Sequence, residues 1–176
     1  MIDFIYISIP RTGTNSIHSV VPQHIDENHK SINKIDRKGF SFGFVRNPFD
    51  LVVSWYQYHR QHQLQKPYDM EFLNWVDAGC PTHWNDDFIK SRGITHPLNQ
   101  FEYLCNEEGE IAVDFIGRFE NLQNDFISVC NVIGIKNKSL PHENNSIHNE
   151  WGGYYTPKAM EKIKTQFKKD FELFNY

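Results

Sequence analysis

The chain predicts an α/β fold in which a central, mostly parallel sheet is flanked by helices. Two observations carry this. A strand, a tight polar loop and a helix start follow one another over residues 2–17, and the same order returns between Phe40 and about Gln63. Two strand–loop–helix units in series are the signature of parallel strands joined by crossover helices. Size and composition agree: 176 residues, 39% of them apolar and 15% aromatic, make a single globular domain of ordinary core size, spanning 1–176.

The first strand draws on Ile2, Phe4, Ile5, Tyr6, Ile7 and Ile9, β-branched or aromatic residues that suit burial on both faces. Pro10 ends its ladder because it cannot donate a hydrogen bond. Gly13 permits a tight turn and a close backbone approach to a ligand. Thr14, Asn15 and Ser16 then bring N–H groups and hydroxyls to a helix start, which favours an anion, and Arg11 adds a fixed positive charge. A phosphate-like group held in this loop is the functional expectation; a strand–turn–helix connection with no ligand is the plainer alternative. The helix over Thr14–Val21 stops near Pro22. Residues 23–38 are polar, with a weak helix expected over Ile32–Lys38 and closed by Gly39.

The second unit begins with the strand Phe40–Val45 and ends it at Arg46-Asn47-Pro48. Asn47 suits a helix N-cap, Pro48 the first turn and Asp50 the capping-box position. Leu51, Val52, Trp55, Tyr56 and His59 continue at helical spacing to about Gln63. Residues 64–100 form the least patterned stretch, with short helices expected at Met70–Val76 and Trp84–Lys90 and a role as an insert on the acceptor side. Phe101–Leu104 and Ala112–Ile116 read as two short strands across a turn at Asn106–Glu110. A helix from Glu120 to Ile133 carries Leu122, Phe126, Val129 and Ile133 on one face and closes at Gly134. Residues 135–155 read as a long loop. Thr156-Pro157 then starts a final helix whose core face is Met160, Ile163, Phe167 and Phe171.

A net charge of −4 argues against a broad nucleic-acid surface, so any anion site must be local. The three cysteines, Cys80, Cys105 and Cys130, form no CxxC pair, which points to a reducing compartment. No secretory leader pattern and no apolar run of roughly 20 residues is visible, and a cytoplasmic location is expected.

The two strand ends together carry a resemblance. Pro10-Arg11-Thr12-Gly13-Thr14-Asn15-Ser16 is similar to the PKxGT[TS] loop of sulfotransferases that use 3′-phosphoadenosine 5′-phosphosulfate (PAPS). Arg46-Asn47-Pro48-Phe49-Asp50, with Ser54 and Tyr56, resembles their RNPxDxxxSxY pattern. Further echoes are the run from Gly117 to Leu122 and the end segment from Tyr154-Tyr155-Thr156-Pro157 to Asp170-Phe171-Glu172. The resemblance lies nearest the bacterial and carbohydrate-type branch and leaves only about 64–100 unmatched. It implies a three-layer P-loop-like domain, PAPS as the donor and adenosine 3′,5′-bisphosphate as the product; no metal is expected, because no metal-ligand set is visible in the chain. The acceptor it implies is a hydroxyl-bearing one, a carbohydrate or a small alcohol.

Carried over residue by residue, the first loop (Arg11, Thr12, Gly13, Thr14, Asn15, Ser16) would cradle the 5′-phosphosulfate, and Arg46 with Ser54 would bind the 3′-phosphate. Ser54 stands about two turns into its helix, roughly 10 Å along the axis, so it reaches that phosphate only if the helix runs beside the nucleotide. Arg11 stands where the family has a catalytic Lys. Arg stays protonated and clamps oxygens, but it cannot donate a proton near neutrality. His29 in Asn28-His29-Lys30-Ser31 resembles the GHxS pattern of the glycan-directed branch and is the favoured base, because an unshifted histidine side chain, with a pKa of about 6.5, suits accepting a proton near neutrality. His59, His62 and Glu27 are the alternatives, and a solvated loop histidine is the plainer account of His29.

Two other classes compete. A P-loop kinase would need GxxxxGK[ST], and this loop is shorter and lacks the Gly-Lys pair. A non-catalytic nucleotide-binding module would bind PAPS without transferring sulfate. His59 and His62 alone lack the third ligand of a zinc site.

Overall fold

β1 (Phe4–Ile7) pairs in parallel with β2 (Phe40–Val45), and β2 pairs in parallel with β3 (Phe115–Arg118), so β2 is the central strand. The structure is a computed structural model that describes residues 2–21, 29–36, 38–62, 67–82, 98–136, 139–141 and 150–176. The chain divides into two compact units, Met1–Arg46 with Asp87–Asn145, and Asn47–Asp86 with Ser146–Tyr176.

The first unit holds the sheet. Alternate positions of β1 and β2 send Phe4, Tyr6, Phe42 and Phe44 to one face. There they meet Ile17 of α1 (Thr14–Val20), Val21 just beyond it, and Phe126, Val129, Cys130 and Ile133 of a long helix over Leu122–Ile133. Tyr6 stacks on Phe42 with ring centroids 5.1 Å apart. The other face carries Ile5, Ile7 and Val45, equally buried, which is why the strands read as unbroken apolar runs rather than alternating ones. A Cβ on Gly43 would lie 2.6 Å from Leu104 Cδ2, so glycine in the central strand admits the short helix Phe101–Leu104 at close range.

Three expectations are corrected in this unit. Phe101–Leu104 is helical, and the antiparallel pairing expected across Asn106–Glu110 survives as the single bridge Cys105–Ile111. β3 lies further along than Ala112–Ile116, because Phe115–Arg118 is the stretch that meets Phe42–Val45 in parallel register. Asp114 locks that register: its Oδ2 accepts from the Ser41 N–H and the Ser41 hydroxyl, both at 2.7 Å. The weak helix expected over Ile32–Lys38 is only a 3-10 turn, Ile32–Lys34, and Gly39 leads into β2 instead.

The second unit is helical. α2 (Pro48–His62) starts as expected, with the Phe49 N–H donating to Asn47 Oδ1 at 2.9 Å. Every residue from Leu51 to Tyr56 is buried, so α2 is an interior helix. α3 (Phe72–Asp77) adds Phe72, Trp75 and Val76 to an aromatic core shared with Trp55, Tyr56 and Tyr68. Phe49 stacks on Trp151, centroids 5.0 Å apart and 11° from parallel, and its carbonyl accepts the Tyr155 hydroxyl at 2.8 Å. Burial pushes the Tyr155 phenol well above its ordinary titration range.

With the helices Phe101–Leu104 and Leu122–Ile133 as α4 and α5, the last two are α6 (Pro157–Gln166) and α7 (Lys168–Phe174). One continuous final helix was expected. The chain instead turns at Phe167, whose φ of −106° and ψ of 24° end one helix and open the next. Both Phe167, at the turn, and Phe174, at the end of the second helix, are buried. Thr156 does cap α6, its Oγ1 accepting from Ala159 N at 3.2 Å. The expected helix over Trp84–Lys90 lies outside the described residues. Among those described, no helix is long and apolar enough to cross a membrane.

Candidate active site

The site is built at the carboxyl ends of the three strands, where open parallel sheets hold their ligands. Beyond β1 the chain runs through Ser8, Ile9 and Pro10 into a turn at Arg11–Gly13. The Ile9 carbonyl organises that turn, accepting Thr12 Oγ1 at 2.9 Å and Thr14 Oγ1 at 2.8 Å. Both threonines are buried and their single hydroxyl protons point inward. Any bond they donate to an anion must therefore come from the backbone N–H. Ser16 is buried, while Asn15 is exposed.

Gly13 caps α1 at φ 86°, and a Cβ there would lie 2.5 Å from Leu122 Cδ2. Only glycine fits both the left-handed backbone and the helix packed behind it. Arg11 also sits in the left-handed region, at φ 69°. That conformation is uncommon for a residue with a Cβ, and such outliers gather at ligand sites. α1 is a short helix of 7 residues, so fixed side-chain charge must carry much of the pull on an anion.

Arg46 is the first residue beyond β2 and only 6% exposed. Its Nη1 donates to the Arg11 carbonyl at 2.9 Å. Its guanidinium carbon lies 4.0 Å from the centre of the Phe119 ring, just past the end of β3. Arginine suits this position because its planar head is weakly hydrated and stacks on aromatic faces. Behind it, Gln100 pairs with its backbone: Arg46 N–H donates to Gln100 Oε1 at 2.7 Å, and Gln100 Nε2 donates to Arg46 O at 2.8 Å.

His29 comes to the same end of β1. Its Nδ1 lies 2.8 Å from the Ser8 carbonyl and 3.2 Å from the Ser8 hydroxyl. A carbonyl only accepts, so Nδ1 carries the proton and Nε2 holds the lone pair. His29 has φ 59°, a left-handed backbone that histidine tolerates better than most residues. Glu27 and Asn28 lie outside the described residues.

The structure thus brings Arg11, Arg46 and the Ser8-anchored ring of His29 onto one set of strand ends. Ser54 is fully buried on α2 of the other unit. His59 is built into that unit's aromatic core, stacked on Tyr68 at 4.7 Å and 13° and beside Trp55 at 4.8 Å. His62 is exposed, with Nδ1 on the Tyr58 carbonyl at 2.8 Å. No cluster of three or more His, Cys, Asp or Glu suited to a metal is present among the described residues. No pattern in the chain marks Ser8 or Gln100, and Phe119 stands in the run from Gly117 to Leu122 with no role attached to it. Gln100 offered no local signal, since its partner is 54 residues away.

A family model described as Sulfotransferase family matches residues 7–176. The chain is 31% identical over 107 residues to an uncharacterized protein of Archaeoglobus fulgidus, covering 58% of this chain and 78% of that one. Its fold is similar to that of mouse sulfotransferase SULT7A1 complexed with PAP. The TM-score is 0.61 at 14% identity, covering 96% of this chain and 84% of the other.

Proposed function

We propose that this chain, which belongs to the sulfotransferase family, moves a sulfuryl group from PAPS to a hydroxyl on a carbohydrate or a small alcohol by in-line displacement. As a member of that family it is a sulfuryl-transfer enzyme; the donor, the acceptor and the residue roles are what we infer. The observation that carries the reading is the 2.9 Å bond from Arg46 Nη1 to the Arg11 carbonyl, which sets two cationic residues from neighbouring strand ends side by side. A nucleotide anionic at two positions needs such a pair.

The residues present fit that donor. Two guanidinium side chains supply fixed positive charge, and the left-handed turn at Arg11 and Gly13 lets backbone approach a phosphate. Arg46 would hold the 3′-phosphate. Arg11, with the backbone of Thr12, Gly13, Thr14, Asn15 and Ser16, would hold the 5′-phosphosulfate. The RNPxDxxxSxY pattern supports Ser54 as a further ligand of the 3′-phosphate. When bound, PAPS supplies an activated sulfuryl group on a phosphate leaving group.

Arg11 stabilises developing negative charge electrostatically and keeps its own proton. His29 accepts the acceptor hydroxyl's proton at Nε2, and the Ser8 carbonyl steadies the imidazolium through Nδ1–H. The three cysteines stand in no disulfide, which supports a reducing, cytoplasmic setting. The match over 7–176 supports treating 1–176 as one sulfotransferase-like domain, and the lack of family motifs over 64–100 supports that stretch as the acceptor-side insert.

The test is a thermal-shift comparison of adenosine 3′,5′-bisphosphate, ATP and NAD, followed by transfer of labelled sulfate from PAPS to a hydroxyl panel. Selective stabilisation by the bisphosphate with measurable transfer is the expected result. Stabilisation without transfer to any acceptor would leave a nucleotide-binding module, and preference for ATP would favour a kinase.

A further inference from the structure

Arg46 lies one residue beyond its strand ladders. The β1 pairing of β2 ends at Gly43, and the β3 pairing ends at Val45 opposite Arg118. The N–H and C=O of Arg46 are nevertheless both satisfied inside the protein, by the amide of Gln100, which is 0% exposed. A side-chain amide donates and accepts at once, so one glutamine reproduces the two-point pairing that another strand would supply.

From this geometry we propose that Gln100 is the positioning residue for the 3′-phosphate site. It fixes the Arg46 backbone, so that the guanidinium emerges over Phe119 and against the Arg11 carbonyl. The inference rests on the reading of Arg46 as a phosphate ligand and adds the residue that aims it. Two features distinguish Gln100 from ordinary core packing. It bonds Arg46 at both backbone groups, and it does so one residue past the last ladder pair, Val45 with Arg118. No other neutral side chain of its length can do both. Leucine would remove both bonds. Glutamate would keep an acceptor for the N–H but set a carboxylate against the carbonyl. Asparagine is one methylene too short to span the same two groups.

The experiment is isothermal titration of the full chain with adenosine 3′,5′-bisphosphate and with 5′-AMP, for wild type, Gln100→Leu, Gln100→Glu and Gln100→Asn, alongside thermal melting by circular dichroism. The ratio of the two affinities reads the grip on the 3′-phosphate and is insensitive to a uniform loss of folded protein. The expected result is a fall in that ratio of about tenfold or more for Gln100→Glu and Gln100→Leu, with Gln100→Asn between these and wild type. If Gln100→Leu does not fold, the two polar variants decide. An unchanged ratio in a folded variant, when wild type prefers the bisphosphate, overturns the role of Gln100 and leaves the donor assignment intact. A wild type that shows no preference for the bisphosphate overturns the donor assignment and this inference with it.

Discussion

Arg46 reaches back to Arg11. Its Nη1 donates to the Arg11 carbonyl at 2.9 Å, while the Arg11 backbone is turned into the left-handed region at φ 69°. The bond ties the loop after β1 to the residue after β2, so neither cation is set independently of the other.

Arg46→Ala is expected to weaken adenosine 3′,5′-bisphosphate by roughly 10- to 100-fold, the scale of a charge-assisted hydrogen bond, and 5′-AMP much less. The comparison is made by titration calorimetry. Equal losses for the two nucleotides would remove Arg46 from the 3′-phosphate. Some loss of 5′-AMP is expected even so, because the Arg11 carbonyl gives up its partner.

Arg11→Ala is expected to lower kcat by about 100-fold or more, the usual cost of deleting a charge-stabilising donor, without a matching fall in melting temperature. Alanine keeps a Cβ at φ 69°, so backbone strain is the same in both proteins and the guanidinium is the variable. Arg11→Lys restores the family's residue at this position and should retain part of the activity. Wild-type turnover in Arg11→Ala would exclude Arg11 from the chemistry.

For the base, His29→Asn is the informative variant, because asparagine tolerates the left-handed backbone but cannot take a proton at neutral pH. A loss of about 10²- to 10⁴-fold in kcat with nucleotide affinity kept is expected. A base must be unprotonated to work, so the wild-type rate should climb as pH rises through the imidazole's titration, and the variant should lack that limb. An unaltered pH–rate profile would exclude His29 as the base and move the search to Glu27 or His62.

Stability should depend on Asp114. The N–H and hydroxyl of Ser41, bonded to its carboxylate, hold its pKa below the ordinary value. The sign follows from linkage: a depressed carboxyl stabilises the fold above its unfolded pKa and loses that contribution as pH falls through the folded one. Asp114→Asn should therefore lower the melting temperature at pH 7, by an amount corresponding to about 1 kcal/mol or less for so exposed a group. The gap should close under acid conditions, below the ordinary carboxylate range. A gap as wide at pH 3 as at pH 7 would refute the account.

The strand β2, the helix it launches and the caps at Asn47 and Thr156 were all legible in the chain, because each depends on residues within a few positions of one another. Unbroken apolar runs and capping side chains are local physics. So is the loop from Pro10 to Ser16, whose residue types suit an anion and set up that expectation before any fold is known. Phe101–Leu104 was misread as a strand because its four residues suit either state, and β3 was placed too early because only the parallel register with Phe42–Val45 selects its bounds.

By itself, then, the sequence determined the class of fold, the two strand-end motifs and the chemistry they suggest. Tertiary structure alone decided that Arg46 bonds the Arg11 carbonyl, that His29 is anchored on Ser8 and that Gln100 holds the Arg46 backbone. These contacts join residues 35, 21 and 54 positions apart. Closing such distances takes the burial of the whole aromatic sheet face, and no periodicity in the chain records which side chains then come within 3 Å of one another.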